Sequence, residues 1–183
     1  MIGLHITGAS GSGTTSLGRA LAEELGIDQF DTDDFFWKKT DPPYSAPRAL
    51  EERLNLMRSA FSEAGSWILS GSIGEWGGPI EPLFDLVVFL SVPTKVRIDR
   101  ITQRDRLRPD AARFLPGGDR HGSYRMFLNW ASSYENGVAQ GRNRALHEQW
   151  LSQLACPVLR LEGEMPLDRQ VQDCLEAIRI HGL

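Results

Sequence analysis

Gly8-Ala9-Ser10-Gly11-Ser12-Gly13-Thr14-Thr15 follows the phosphate-binding spacing G-x-x-x-x-G-K-[ST] at every fixed position but one. Thr14 stands where the pattern has lysine. Before it, residues 2–7 (IGLHIT) are a short apolar run that reads as a buried strand. After it, Leu17, Leu21 and Leu25 recur at helical spacing and Gly26 closes the segment, which predicts a helix with a glycine stop. A glycine-rich turn between strand and helix aims backbone N–H groups and the helix N-terminus at one point, where a di- or triphosphate can sit. Gly8, Ser10, Gly11, Ser12, Gly13, Thr14, Thr15 and Ser16 are therefore expected to cradle a nucleotide. The Thr15 hydroxyl is placed to meet Mg²⁺. The loop lacks its usual point charge, so either catalysis is lost or an arginine supplies the charge from another direction.

The rest of the chain repeats strand and helix. Strands are expected near residues 28–31, 67–69, 86–90 and 158–161. Helices are expected where Leu50, Leu54, Met57 and Phe61 recur, over 94–106, over about 124–154 with a break near Gly137 and Gly141, and over 167–178. The run 86–90 (LVVFL) is continuous and partly β-branched, as a strand buried on both faces should be. Alternation of this kind predicts an α/β fold, a parallel sheet covered by helices on both faces. At 183 residues a single domain over 1–183 is expected.

Composition narrows the function classes. The net charge of −4 argues against a nucleic-acid binder. No apolar run is long enough to span a bilayer, and the short N-terminal run does not resemble a signal peptide. Cys156 and Cys174 lack metal-ligand or framework spacing; Cys174 shares a helical face with Val171 and Ile178 and reads as core. A reduced, cytoplasmic setting is expected. The histidines at 5, 121, 147 and 181 show no ligand spacing and read as structural or surface. Charge is uneven: residues 95–125 hold nine Lys/Arg against four Asp, in a chain otherwise at −9. A basic segment beside a phosphate loop reads as its mobile counter-charge.

Asp31-Thr32-Asp33-Asp34 closes the second expected strand, sixteen residues after Thr15. Ligands of parallel α/β sheets gather at the carboxyl ends of strands. Asp31 is expected to orient Mg²⁺ water beside Thr15. Asp33 or Asp34 is expected to bind a substrate hydroxyl and take its proton. Residues 33–65 form the expected acceptor segment. Its aromatics Phe35, Phe36, Trp37 and Tyr44, with Trp76 beyond, are either stacking surfaces or a satellite core under the loop 38–48. Arg48, Arg53 and Arg58 lie where an acceptor phosphate or carboxylate could be clamped, and at most one or two of them should point inward.

These residues together resemble the adenylate kinase/shikimate kinase branch of small P-loop kinases: the loop 8–15, the Asp31-x-Asp33 pair, the Ser70-Gly71 turn, Asp85 before the fourth strand, and a basic lid. The resemblance implies a P-loop NTPase three-layer fold with five parallel strands and a mobile, arginine-bearing lid, here about 107–122. It implies an ATP- and Mg²⁺-dependent phosphotransferase acting on a small molecule or nucleoside monophosphate. Asp33, Arg108 and Arg120 would be catalytic, Arg104 would meet the nucleotide, Thr15 and Asp31 would hold the metal, and Asp33, Asp34, Trp37, Arg53, Arg58 and Gly71 would meet the acceptor. The lysine-less Gly-Thr-Thr ending is similar to that of archaeal-type cytidylate kinases. Two departures bear on the acceptor. Tyr134-Glu135-Asn136 stands where a shikimate kinase has its carboxylate-binding arginine, and Ser70 stands where adenylate kinases place an aspartate. A monomer or homodimer is expected, with no nucleic-acid or membrane partner. The alternative is a sensor of the same fold that closes on nucleotide with weak or no catalysis.

Overall fold

Strand β1 (Gly3–Gly8) is buried along its whole length, and its side chains divide between two cores. Leu4 and Ile6 enter one; His5 and Thr7 face the other way. The computed structural model describes every residue except Pro42, 138–140 and Gly163, and only the backbone of Glu75. The break expected near Gly137 and Gly141 thus lies partly outside the described residues.

The chain continues through α1 (Thr14–Leu25), β2 (Asp28–Asp31), α2 (Thr32–Phe36), α3 (Leu50–Ala64), β3 (Trp67–Ser70), β4 (Leu86–Ser91), α4 (Thr94–Arg106), α5 (His121–Ser132), α6 (Arg144–Leu151), β5 (Val158–Glu162) and α7 (Leu167–His181). Short 3₁₀ turns lie at Gly74–Trp76, Gly78–Leu83 and Ala111–Phe114. The five strands form one parallel sheet in the order β2-β3-β1-β4-β5. The five expected strands and the α/β class are as the sequence predicts.

Parallel strands alternate between two apolar layers. Leu4, Ile6, Ile68, Leu86, Val88 and Leu90 pack under α1 and α7, where Cys174 is fully buried. Trp67, Leu69, Val87 and Phe89 pack with Leu54, Met57 and Phe61 of α3 and with Leu151 of α6. The rings of Phe30, Phe35 and Phe61 meet one another in tilted and edge-on pairs, so Phe35 belongs to this core rather than to a ligand surface.

His5 and His147 are buried in the second layer's surroundings. His5 Nδ1 meets Leu69 O at 3.0 Å, its ring stacks on Phe84, and burial pushes its pKa down to about 3. His147 Nδ1 meets the Tyr134 hydroxyl at 2.8 Å, and burial lowers it to about 4. Both are therefore neutral in the folded chain, while an unfolded histidine takes its proton near about 6.5. Between those values the unfolded chain binds more protons, so stability is full above about pH 6.5 and falls as the pH drops, by up to about 1.4 kcal/mol per pH unit per histidine. Denaturant midpoints at pH 7.5 and 5.0 should show this loss, and His5→Leu should flatten it. Equal midpoints at the two pH values would contradict the buried, neutral assignment.

Register decides what meets at the carboxyl edge of the sheet. Asp31 of β2 lies opposite Ser70 of β3, which lies opposite Ile6 of β1. The turns leaving these three strands are the phosphate loop, the aspartate turn and the Ser70-Gly71 turn. Gly71 (φ 112°) donates its N–H to Ile6 O, and a Cβ there would lie 2.1 Å from Thr32 Oγ1. Only glycine lets the β3 turn close against the aspartate turn.

Candidate active site

The phosphate loop runs from β1 into α1 with Gly13 (φ 102°) as the helix N-cap. No side chain caps the helix. The first N–H groups of a helix have no intrahelical partner, so they point outward as anion donors. An added Cβ at Gly13 would meet only the Arg100 guanidinium, at 3.9 Å. The space beside Gly13 is thus open rather than filled by protein. Ser12 is buried, and its Oγ has no hydrogen-bond partner among the described residues.

Thr15 Oγ1 donates to Asp31 Oδ2 at 2.7 Å. The hydroxyl and carboxylate are hard oxygen donors, the set that Mg²⁺ takes while keeping most of its waters, so these residues fit the ion. The other Asp31 oxygen accepts from Asp33 N at 3.0 Å and caps α2. Capping and metal placement are therefore compatible at one residue. Asp33 lines the same cleft and is more exposed than Asp31. Partial desolvation first, and the neighbouring Asp31 second, push its carboxyl above the usual range, while the Arg142 charge and a hydrogen bond from Trp37 act in the opposite sense. A carboxylate shifted in this direction is better matched to accepting a hydroxyl proton.

Three arginines converge on the phosphate loop. Arg97 is fully buried; it donates to the carbonyls of Val92, Ser10 and Ala131 and to Thr94 Oγ1. It is a brace, not a mobile charge, which corrects the reading of the basic segment at this position. Arg100 donates to Ser12 O at 3.1 Å. Arg142 comes from the far end of the chain: its Nη2 donates to Ser10 Oγ at 2.5 Å, and its guanidinium lies 4.9 Å from the Trp130 ring centre. Arg142 lies outside the basic segment 95–125, so charge patterning along the chain does not single it out. The available signal was its position directly before Asn143, which caps α6 by accepting from Leu146 N.

The cleft around the loop has a volume of about 780 Å³. Gly8, Ser10, Gly11, Thr14, Thr15, Asp31, Asp33, Trp37 and Gly71 line it, together with Arg104 of α4, Arg108, Arg120 and Arg142. In this structure Arg104, Arg108 and Arg120 hold partners of their own. Arg104 pairs with Asp105 at 3.0 Å and Arg108 with Asp110 at 3.1 Å. Arg120 donates to Pro43 O at 3.2 Å, tying the start of α5 to the loop between α2 and α3. Arg113 is turned to Asp119 at 2.6 Å and does not line the cleft.

Arg48, Arg53 and Arg58, expected to clamp an acceptor, do not line the cleft. Arg48 donates to the carbonyls of Asp34, Phe35 and Trp37 and closes α2. Arg53 donates to Arg48 O at 2.8 Å and lies 3.8 Å over the Phe36 ring, with Trp76 beside it. Arg58 and Asp34 are exposed, and with Arg53 they lie outside the cleft lining. Ser12, Gly13 and Ser16 also lie outside that lining, Ser16 exposed on the outer side of the helix start. Trp37 and Tyr44 do line it, so the aromatics of this segment divide between core and cleft.

An all-parallel five-stranded sheet with this loop at its carboxyl edge defines the P-loop kinase fold. The chain belongs to the family described as AAA domain, whose profile matches residues 4–114. It is 38% identical over 173 residues to the uncharacterized protein YqaC of Bacillus subtilis (strain 168), covering 94% of this chain and 95% of that one. Among solved structures it is similar to a shikimate kinase from Acinetobacter baumannii in complex with shikimate (TM-score 0.58, 18% identity, 100% of this chain and 96% of that one). It is also similar to a gluconokinase from Sinorhizobium meliloti 1021 (TM-score 0.54, 15% identity, 97% and 91%). No described helix is long and apolar enough to cross a membrane.

Proposed function

We propose that the protein is an ATP- and Mg²⁺-dependent phosphotransferase that moves a phosphoryl group to a hydroxyl of a small molecule. The observation that carries this reading is the cleft itself: Asp33 lines it beside the Thr15–Asp31 pair and the Arg142 guanidinium, with its carboxyl raised above the usual range by partial desolvation and by Asp31. A protein that only sensed nucleotide would have no need of a tuned base at that place. The structural neighbours named above are kinases, which agrees with it.

The residues divide the work. The loop N–H groups and the α1 N-terminus hold phosphate. Thr15 and Asp31 hold Mg²⁺, which when bound neutralises charge on the phosphates. Arg142 takes the place of the loop lysine from outside the loop, and Arg104, Arg108 and Arg120 line the opposite wall. Asp33 accepts the proton of the attacking hydroxyl. The missing lysine, which favours the sensor reading, is thereby answered by a cation already in contact with the loop.

The test measures ADP formation from ATP with and without Mg²⁺, against a panel of hydroxylated compounds, beside calorimetric binding of ATP. Metal-dependent ADP formation that an added acceptor accelerates is the expected result. Gly13→Val should abolish ATP binding, because a branched side chain fills the space beside the phosphates and strains the left-handed backbone. Tight ATP binding with no turnover on any acceptor would establish the sensor instead. Unchanged ATP binding in Gly13→Val would remove the loop from the site.

A further inference from the structure

A second, smaller cavity of about 200 Å³ adjoins the phosphate cleft. Its walls come from the carboxyl ends of β1 and β3 and from one face of α6: Thr7, Ser72, Leu146, Gln149, Trp150 and Gln153 among others. Ser72 lines both spaces, and Gly141 at its rim is followed directly by Arg142 of the cleft. A molecule seated in the cavity therefore opens past Ser72 towards the loop and Asp33.

The lining has a distinct chemistry. Trp150 offers one flat apolar face and is held in place: its Nε1 donates to Glu81 Oε1 at 2.7 Å, and its ring packs edge-on to His5. Around it stand neutral hydrogen-bonding groups, the Gln149 and Gln153 amides and the Ser72 and Thr7 hydroxyls. His147 also contributes, neutral because burial lowers its pKa to about 4. Among the described residues lining this cavity, none is charged at neutral pH. Arg48, Arg53 and Arg58, the charges that could have gripped an anionic acceptor, are bound to backbone carbonyls, laid on Phe36, or exposed. A carboxylate or phosphate buried here would lack a partner and bear the desolvation penalty of its charge. A ring whose C–H face lies on Trp150 and whose hydroxyls meet amides and hydroxyls would not. The cavity is below the size range of drug-like pockets, which suits a single small ring.

We propose that the phosphoryl acceptor is an uncharged cyclic polyhydroxylated compound, its ring on Trp150 in this cavity and one hydroxyl directed past Ser72 to Asp33. This rests on the phosphotransferase reading. The acceptor oxygen bonds to the γ-phosphorus of ATP, the bond from that phosphorus to the β–γ bridging oxygen breaks, and the hydroxyl proton passes to Asp33. The products are ADP and a phosphate monoester.

Two readouts on the full chain separate this proposal from the reading beneath it. Binding is followed by saturation-transfer NMR without nucleotide, and turnover by ADP formation. The probes are myo-inositol and glucose as neutral rings, quinate as a carboxylate, and CMP as a phosphate. The neutral rings should bind and should give at least tenfold higher kcat/KM than quinate or CMP. Trp150→Ala should raise their KM at least tenfold. Gln149→Leu, at an exposed position, should raise it several-fold, and circular dichroism confirms that each variant is folded. Neutral-ring binding that Gln149→Leu weakens, without turnover on any probe, would support the cavity and sink the phosphotransferase reading. Preferred turnover of quinate or CMP, or no binding of either neutral ring, overturns the proposal.

Discussion

Arg142→Ala is expected to lower phosphoryl transfer by about 10²–10³, the usual loss when a preorganised group facing developing charge is removed. Its guanidinium is already on the loop through Ser10, so no lid movement is needed to deliver it. Thr14→Lys in the same chain should restore part of the rate, because both changes address one charge on the phosphates. A second readout separates this role from simple support of the fold. The Arg142 charge favours the ionised form of Asp33. Its removal should raise the Asp33 pKa and move the acidic limb of the pH–rate profile upward. Single alanine variants at Arg104, Arg108 and Arg120 should cost less, since each has a partner in or beside the lid. Full activity in Arg142→Ala, or no rescue by Thr14→Lys in a folded protein, would remove Arg142 from the site.

Asp33→Asn is expected to leave ATP affinity nearly intact and to lower turnover by about 10²–10⁴, the range for a positioned general base. Asp31→Asn should behave differently. It breaks the 2.7 Å bond with Thr15 and should raise the Mg²⁺ concentration needed for half-maximal rate. It also removes the like charge that helps hold the Asp33 carboxyl up. The Asp33 carboxyl then ionises more easily, so the acidic limb should move downward, opposite in sign to Arg142→Ala. Titrating Mg²⁺ and pH across the two aspartate variants checks this. The same metal response in both would show that metal and proton roles are not divided between these residues.

Strands, helices and the phosphate loop were legible in the sequence because each depends on residues close in the chain. The spacing of Gly8, Gly13 and Thr15, the period of Leu17 and Leu21, and the continuous run at β4 are local patterns that a backbone must satisfy wherever the segment lies. Asp31 and Thr15 were also legible, since strand ends in a parallel sheet converge on one edge. What only the tertiary structure decided is which charges face that edge. Arg97 reads as one more cation of a basic helix, yet it is buried under carbonyls that the packing of β4, α4 and α5 brings together. Arg53 reads as an acceptor clamp, yet the Phe36 ring holds it aside. Arg142 reaches Ser10 across 132 residues of chain. No local period encodes such a contact, because the sheet order β2-β3-β1-β4-β5 and the return of the chain through α6 set the distance between them.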